Sequence, residues 1–185
     1  MVNYIWENIF RRNPKDAEVD TVLAENYIFK ALSKAELLFV KSLVHYRIYK
    51  PGESIFRQGE LGVGMYIVVR GNVNITVEDL SAKDELMQDV FVTRLTRGDF
   101  FGEIALVEQT GRRTATATAA DETILLGFFK PDLAEIIERN PRTGVKILTR
   151  LGEVLGRRLK ETAERFTEVK RELRELAQPS PDDKT

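Results

Sequence analysis

The hydrophobic period of this chain changes twice along its length, and those changes limit its fold more than any other feature. From Tyr49 to about Phe129 the residues follow the period of a β-strand. "MYIVVRGNVNITVED", "DVFVTRLTRGDFFG" and "TATATAADETILLGFF" are rich in β-branched and aromatic side chains and alternate in part. Turn chemistry recurs at short intervals through this stretch, at Pro51-Gly52, Gly59, Gly62, Gly64, Gly71-Asn72 and Gly98-Asp99. The polar run "EDLSAKDELMQD" suits a hairpin loop. Many short strands joined by Gly-rich turns predict an antiparallel barrel, sandwich or jelly roll.

On both sides the period is helical. Residues 1 to about 48 read as helices, among them "DAEVDTVLAENYIFKAL". "SKAELLFVKSLV" opens with Ser33 and carries Glu36 three positions on, a capping box that satisfies orphan N–H groups at a helix start. "KPDLAEIIERN" predicts a short helix ending near Asn140-Pro141, and a long one follows from about Thr143 to Leu176. In that helix Leu148, Gly152, Leu155, Leu159, Thr162, Phe166, Val169, Leu173 and Leu176 alternate steps of four and three. This is a heptad seam, flanked by the i,i+4 pairs Glu153–Arg157 and Glu161–Arg165. A small roll cannot cover some 30 residues, roughly 45 Å, of helix. The seam therefore predicts a parallel homodimer, against the alternative of a helix packed along its own domain. The fold class expected is α+β, mainly β: an antiparallel β-roll or jelly roll with N-terminal helices and a long C-terminal dimerisation helix. The divisions expected are a helical extension over 1–26, the roll with its flanking helices over 27–141, the coiled-coil-like helix over 142–176 and a disordered tail over 177–185.

Composition removes several function classes. The chain of 185 residues contains no cysteine and one histidine, His45, so thiolate chemistry and a multi-histidine metal site are excluded. A formal net charge of -1 gives no global attraction to nucleic acid or anionic membrane. No stretch approaches the roughly 18 apolar residues of a membrane span, and "MVNYIWENIFRR" lacks the pattern of a secretory leader, so a cytoplasmic protein is expected. Trp6 with Tyr4, Ile5, Ile9 and Phe10 forms an apolar face expected to pack on the roll or on a partner. His45 is expected to be packed or half-exposed at a helix end.

One stretch concentrates chemistry: "FGEIALVEQTGRRTATATA", residues 101–119. A turn at Gly102 leads into "EIALVE", which can form one or two helical turns. A helix start presents N–H groups and partial positive charge, which suits an anion such as a phosphate. An arginine returned by the next strand adds a forked, charge-assisted contact. Glu103 would repel that anion, so its natural donors are vicinal hydroxyls, as on a ribose. Thr114, Ala115 and Thr116 leave room for such a ligand. On spacing alone, a surface turn with a salt bridge is an equal alternative.

These residues closely resemble the phosphate-binding cassette of the cyclic-nucleotide-binding domain family: Phe-Gly-Glu at Phe101 to Glu103, an apolar triplet at Ile104, Ala105 and Leu106, then Arg113, Thr114, Ala115 and Thr116. "YKPGESIFRQGELGVGMYIVVRGNVNI" is similar to the family's early strands, and the resemblance spans about residues 27–165. It implies that Glu103 accepts from the ribose 2′-OH and that Arg113 pairs with the cyclic phosphate. It also implies that backbone N–H groups of Gly102, Glu103, Ile104 and Ala105 surround the ligand, and that Thr114 touches phosphate or base. Arg113 rather than Arg112 fits the pattern, because only Arg113 puts Ala115 and Thr116 in register; Arg112 reads as a solvent-facing charge. Arg157-Arg158-Leu159 followed by Thr162 resembles the dimer helix of the catabolite activators, in which a threonine meets the adenine. Ala163 stands where those activators have serine, and Phe166, one turn on, is an alternative cap for the base.

The function implied is a stand-alone receptor that binds cyclic AMP, in preference to cyclic GMP, and signals through a dimer helix to an unidentified effector protein. No catalytic residue, cofactor or metal is expected. The alternative is a transcription regulator of the catabolite-activator type, lacking or borrowing its DNA-binding part; the mixed charge of the last helix argues against nucleic acid as a partner. An enzyme on a cupin-like scaffold would need a histidine-rich metal site that one histidine cannot build.

Overall fold

The computed structural model describes residues 14–78, 89–109 and 111–176. The apolar face around Trp6, most of the expected hairpin loop and the 177–185 tail lie outside the described residues. The first helix, α1 (Pro14–Glu25), ends sooner than its apolar spacing predicts. Asn26 explains the stop: it is buried, and its side-chain Oδ1 accepts from the N–H of Ile28 at 3.0 Å, an Asx turn that competes with helical bonding. Helix α2 (Lys34–Leu43) starts at the expected capping box. Glu36 N–H donates to Ser33 Oγ at 3.4 Å and Ser33 N–H donates to Glu36 Oε2 at 2.6 Å.

The helical expectation up to residue 48 is corrected here. Strand β1 (His45–Tyr49) begins directly after α2 and pairs antiparallel with β8 (Thr123–Phe129), from His45 opposite Gly127 to Tyr49 opposite Thr123. "HYRIY" carries no Gly or Pro signal at its start, so neither its entry nor its period distinguishes it from the helix before it. His45 accordingly lies on a strand, with its side chain 58% exposed and its ring 3.3 Å from Asp132.

The remaining strands are β2 (Ser54–Phe56), β3 (Gly64–Arg70), β4 (Val73–Glu78), β5 (Asp89–Leu95), β6 (Phe100–Phe101) and β7 (Thr116–Ala119). They form two four-stranded antiparallel sheets, in the orders β1-β8-β3-β6 and β2-β7-β4-β5. Strands β3 and β8 show how period two distributes the core. Met65, Ile67 and Val69, with Ile124, Leu126 and Phe128, face the helices, while Val68 and Leu125 face the second sheet. The inter-sheet layer adds Tyr49, Val73, Phe101, Ala117 and Ala119. Ala117 and Ala119 of "TATATA" thus fill the narrow space between the sheets.

Helix α3 (Ile104–Val107) is a single turn, where one or two were expected after Gly102. Helix α4 (Lys130–Arg139) is capped by Asp132, whose Oδ2 accepts from Phe129 N–H at 2.7 Å. Helix α5 (Pro141–Leu176) starts with proline at its first position, where no intrahelical N–H bond is lost, and Asn140 Oδ1 accepts from Thr143 N–H at 3.3 Å.

Helix α5 has two different halves. Gly144, Ile147, Leu151 and Val154 repeat at helical spacing and are buried against the roll. Each of the three large ones contributes about 1.5–3 kcal/mol by its burial. Every residue from Gly156 to Leu176 is exposed, including the seam residues Leu159 and Phe166 at 71% and 68%. The expected Glu153–Arg157 pair is not the one observed: Glu153 instead takes Arg150 at 2.7 Å and the Tyr27 hydroxyl at 2.8 Å. Tyr27 draws the glutamate back towards the loop after α1, and Arg157 lies 5.2 Å from the centre of the same tyrosine ring.

Candidate ligand-binding site

A cavity of about 250 Å³ opens between the second sheet, α3 and the middle of α5. Gly102, Glu103, Ile104, Ala105, Arg113, Thr114 and Ala115 all line it. Of the residues singled out in the sequence for the site, Leu106, Thr116, Thr162 and Phe166 are not among its lining. The Thr162 hydroxyl is exposed on α5 and donates to the Arg158 carbonyl of the preceding turn at 2.8 Å.

The geometry begins with β6. Phe101 pairs with Tyr66 across the strands, and their rings stack at 5.6 Å. Phe56 lies 5.7 Å from Phe101, which completes an aromatic floor. The chain then turns at Gly102 with φ +76°, a conformation that disfavours a side chain. A Cβ there would stand 2.4 Å from Arg113 Nη1, so any side chain would force the guanidinium to shift. Arg113 is 7% exposed. Its main chain is locked to the turn after β2: Arg113 N–H donates to Glu60 O and Gly59 N–H donates to Arg113 O, each at 2.8 Å. Its guanidinium lies 4.0 Å over the Phe56 ring and donates from Nη1 to the Gly102 carbonyl at 3.1 Å.

Burial pulls the Arg113 guanidinium below its ordinary value, while Tyr66, Glu103 and Glu60 act in the opposite direction. Arginine remains charged under such conditions. Its buried Nε finds no hydrogen-bond partner among the described residues. A buried charged donor lacking a partner is costly, and an anion in the cavity would supply one. Arg112, by contrast, is exposed and donates to the Gly59 carbonyl at 2.7 Å.

Glu103 is only 1% exposed. Its partner is a residue that sequence reasoning did not assign to the site: Arg158 of α5 donates from Nη1 to Glu103 Oε1 at 2.5 Å and from Nη2 to the Phe100 carbonyl at 3.4 Å. The available signal was its position one helical turn before Thr162. The apolar wall of Phe56, Ile75, Leu95 and Phe100 was also missed, because these residues read only as core. Three arginines and two glutamates line the cavity, a net charge of +1. The Ala105 N–H, expected to face a ligand, donates at 3.2 Å to the Gly102 carbonyl within the turn.

A buried cation over an aromatic ring and a buried carboxylate, both lining one cavity, define a small-molecule-binding roll suited to an anion that also bears hydroxyl groups. Comparison with known proteins gives the family. Residues 46–140 match the cyclic nucleotide-binding domain, and the chain belongs to that family. It is 32% identical over 134 residues to the cyclic AMP receptor protein of Thermus thermophilus, covering 72% of this chain and 57% of that one. It is 29% identical to the cAMP-activated global transcriptional regulator CRP of Salmonella typhimurium, over 65% of this chain and 53% of that one. The crystal structure of the Thermus thermophilus catabolite activator protein superposes with a TM-score of 0.68 at 30% identity, covering 78% of this chain and 63% of that one. The chain thus spans a little over half the length of these two curated relatives. Among the described residues, no helix is long and apolar enough to cross a membrane.

Proposed function

We propose that this chain is a cyclic-nucleotide receptor, with cyclic AMP as the preferred ligand, that passes occupancy of its roll through α5 to an effector protein. One observation carries the reading: Arg113, fixed over Phe56 and almost wholly buried, has an unpartnered Nε at a cavity that also holds buried Glu103. The guanidinium would take the cyclic phosphate, and the carboxylate would accept from the ribose 2′-OH. Thr114 and Ala115 would form the near wall, and the backbone from Gly102 to Ala105 would border the phosphate. The names of the Thermus and Salmonella relatives favour adenine over guanine. No step of bond making or breaking is involved, and the role is binding alone.

The receptor would act as a parallel homodimer. Helix α5 carries an apolar seam from Leu159 to Leu176 that the roll does not touch, and helices of this length need packing on an apolar face to persist in water. A Cβ at Gly152 or Gly156 would meet nothing within 4 Å, so a second helix can approach closely there. Thr162 or Phe166, both on this seam, would meet the base at the dimer boundary; Thr162 could accept from a base amino group while still donating to the Arg158 carbonyl.

Calorimetric titration of cyclic AMP and cyclic GMP against wild type and Arg113→Ala tests the reading. We expect wild type to bind cyclic AMP and the variant to lose at least about 100-fold in affinity, about 2.7 kcal/mol. Unchanged binding by the variant would misplace the site. A second reading, a transcription regulator, is favoured by the likeness to the Salmonella regulator. A gel-shift screen with cyclic AMP present separates the two, since tight sequence-specific retardation of DNA would favour the regulator.

A further inference from the structure

We propose that the thirteen residues before Pro14 dock as an amphipathic helix on an exposed apolar surface beside α1, made by Leu38 of α2 with Tyr46 and Ile48 of β1. This docking is independent of what the cavity binds. Val2, Ile5, Trp6 and Ile9 follow one another at i, i+3, i+4 and i+7, and Phe10 stands four positions after Trp6, which is the spacing of one helix face. Glu7, Asn8 and Arg11 fall on the opposite side. A helix this short, about 20 Å, does not persist alone in water, so its apolar face needs a surface.

The surface lies where that segment joins the fold. Tyr46 and Ile48 are paired with Leu126 and Ile124, which belong to the helix-facing core, so all four share that side of the sheet. Strand β1 ends its sheet, and α1 and α2 pack over this layer while leaving Tyr46, Ile48 and Leu38 exposed. An exposed apolar sheet edge is a pairing hazard that a covering helix removes. Both parts of the surface border the first half of α1. Glu18 of α1 takes Arg70 at 2.9 Å, and Arg70, Ile124 and Ile48 form one row across β3, β8 and β1. Ile48 is thus two strand spacings, roughly 10 Å, from Arg70. Leu38 lies one turn before Lys41 on the same α2 face, and Lys41 reaches Asp20 of α1 at 2.6 Å. Pro14 is one turn, about 6 Å, before Glu18, so the segment starts within reach of Ile48. The exposed seam of α5 is the other apolar face available. However, α1 meets α5 through its opposite end, where Tyr27 donates to Glu153, and α1 is about 18 Å long. The segment therefore begins a full helix length from α5.

Trp6 is the single tryptophan of the chain, so its fluorescence reports the segment directly. Acrylamide quenching of Trp6 is measured in the full chain, folded and unfolded in urea, and in two variants, Leu38→Gln with Ile48→Thr, and Tyr46→Thr. Each replacement suits its helix or strand and removes apolar surface. Circular dichroism establishes that the variants are folded, and if the double variant fails to fold, Tyr46→Thr carries the same comparison. We expect Trp6 of folded wild type to be quenched at least about threefold less than in the unfolded chain, because a docked tryptophan hides most of its large surface. Both variants should lose at least about half of that protection, with emission shifted to the red. Phe166→Gln with Leu173→Gln, on the α5 seam, should leave it unchanged, and so should dilution of wild type. Quenching in folded wild type equal to that in urea overturns the docking. So does protection that survives in the first two variants, that is lost in the seam variant, or that fades on dilution, the last two assigning the segment to α5 and to a second copy of the chain.

Discussion

Glu36 joins two distant helices, and the consequences can be worked out in some detail. Its carboxylate accepts from Ser33 N–H in the capping box of α2. It also accepts from Thr143 Oγ1 at 3.0 Å, and from Lys146 Nζ at 2.8 and 2.7 Å, at the start of α5. The Lys146 ammonium, followed by the Ser33 backbone, lowers the Glu36 pKa from 4.5 to about 2. A shift of that size corresponds to at most about 3.4 kcal/mol. The Glu36 side chain is 13% exposed and that of Lys146 41%, so solvent screening reduces the contribution to about 2 kcal/mol. Because the folded-state pKa lies below the unfolded one, the stabilisation is complete above about pH 4.5 and is lost as pH falls towards 2. At pH 3.5 about 1.3 kcal/mol of it is gone. Glu36→Gln keeps the shape of the side chain and removes the charge. Urea unfolding followed by circular dichroism should find the variant about 2 kcal/mol less stable at pH 7 and less than about 1 kcal/mol less stable at pH 3.5. A gap below about 0.5 kcal/mol at pH 7, or a gap of the same size at both pH values, would refute the assignment.

Gly102→Ala should cost about 1–3 kcal/mol in urea unfolding, because its φ of +76° and its closeness to Arg113 both oppose a Cβ. The same variant should weaken cyclic AMP binding at least about tenfold in calorimetry, since Arg113 must move aside. Equal affinity would mean that Arg113 does not hold the ligand. Replacing exposed Phe166 and Leu173 on the α5 seam with aspartate should leave the unfolding of the roll within about 0.5 kcal/mol of wild type. Sedimentation should change from dimer to monomer, and a wild-type chain that sediments as a monomer at every concentration would remove the seam as an interface.

Much of this fold is legible locally. The capping box of Ser33 and Glu36 is a spacing of three residues, and it closes as the spacing predicts. The cassette is legible for a similar reason: β6, the Gly102 turn, α3 and the return to Arg113 fall within fourteen residues, 100–113, so short-range sterics bring its parts together. Where local signals were equivocal, the reading failed. "HYRIY" follows a helix with no break in composition, and pairing with β8, about 80 residues downstream, is what makes it a strand.

By itself, then, the sequence determined most of the helical and extended segments and where the chain turns, and its resemblance to a known cassette pointed to the cation and carboxylate that line one small pocket. Those properties depend on backbone sterics and side-chain period, which act over a few residues. Only the tertiary structure decided what Glu103 holds and where Thr162 lies. Ile147, Leu151 and Val154 fix α5 by their burial, so that Arg158 reaches the cavity while Thr162, one turn further along the same face, lies beyond it. No pattern within α5 specifies this, because the surface it packs against is built from strands and helices distant in the chain.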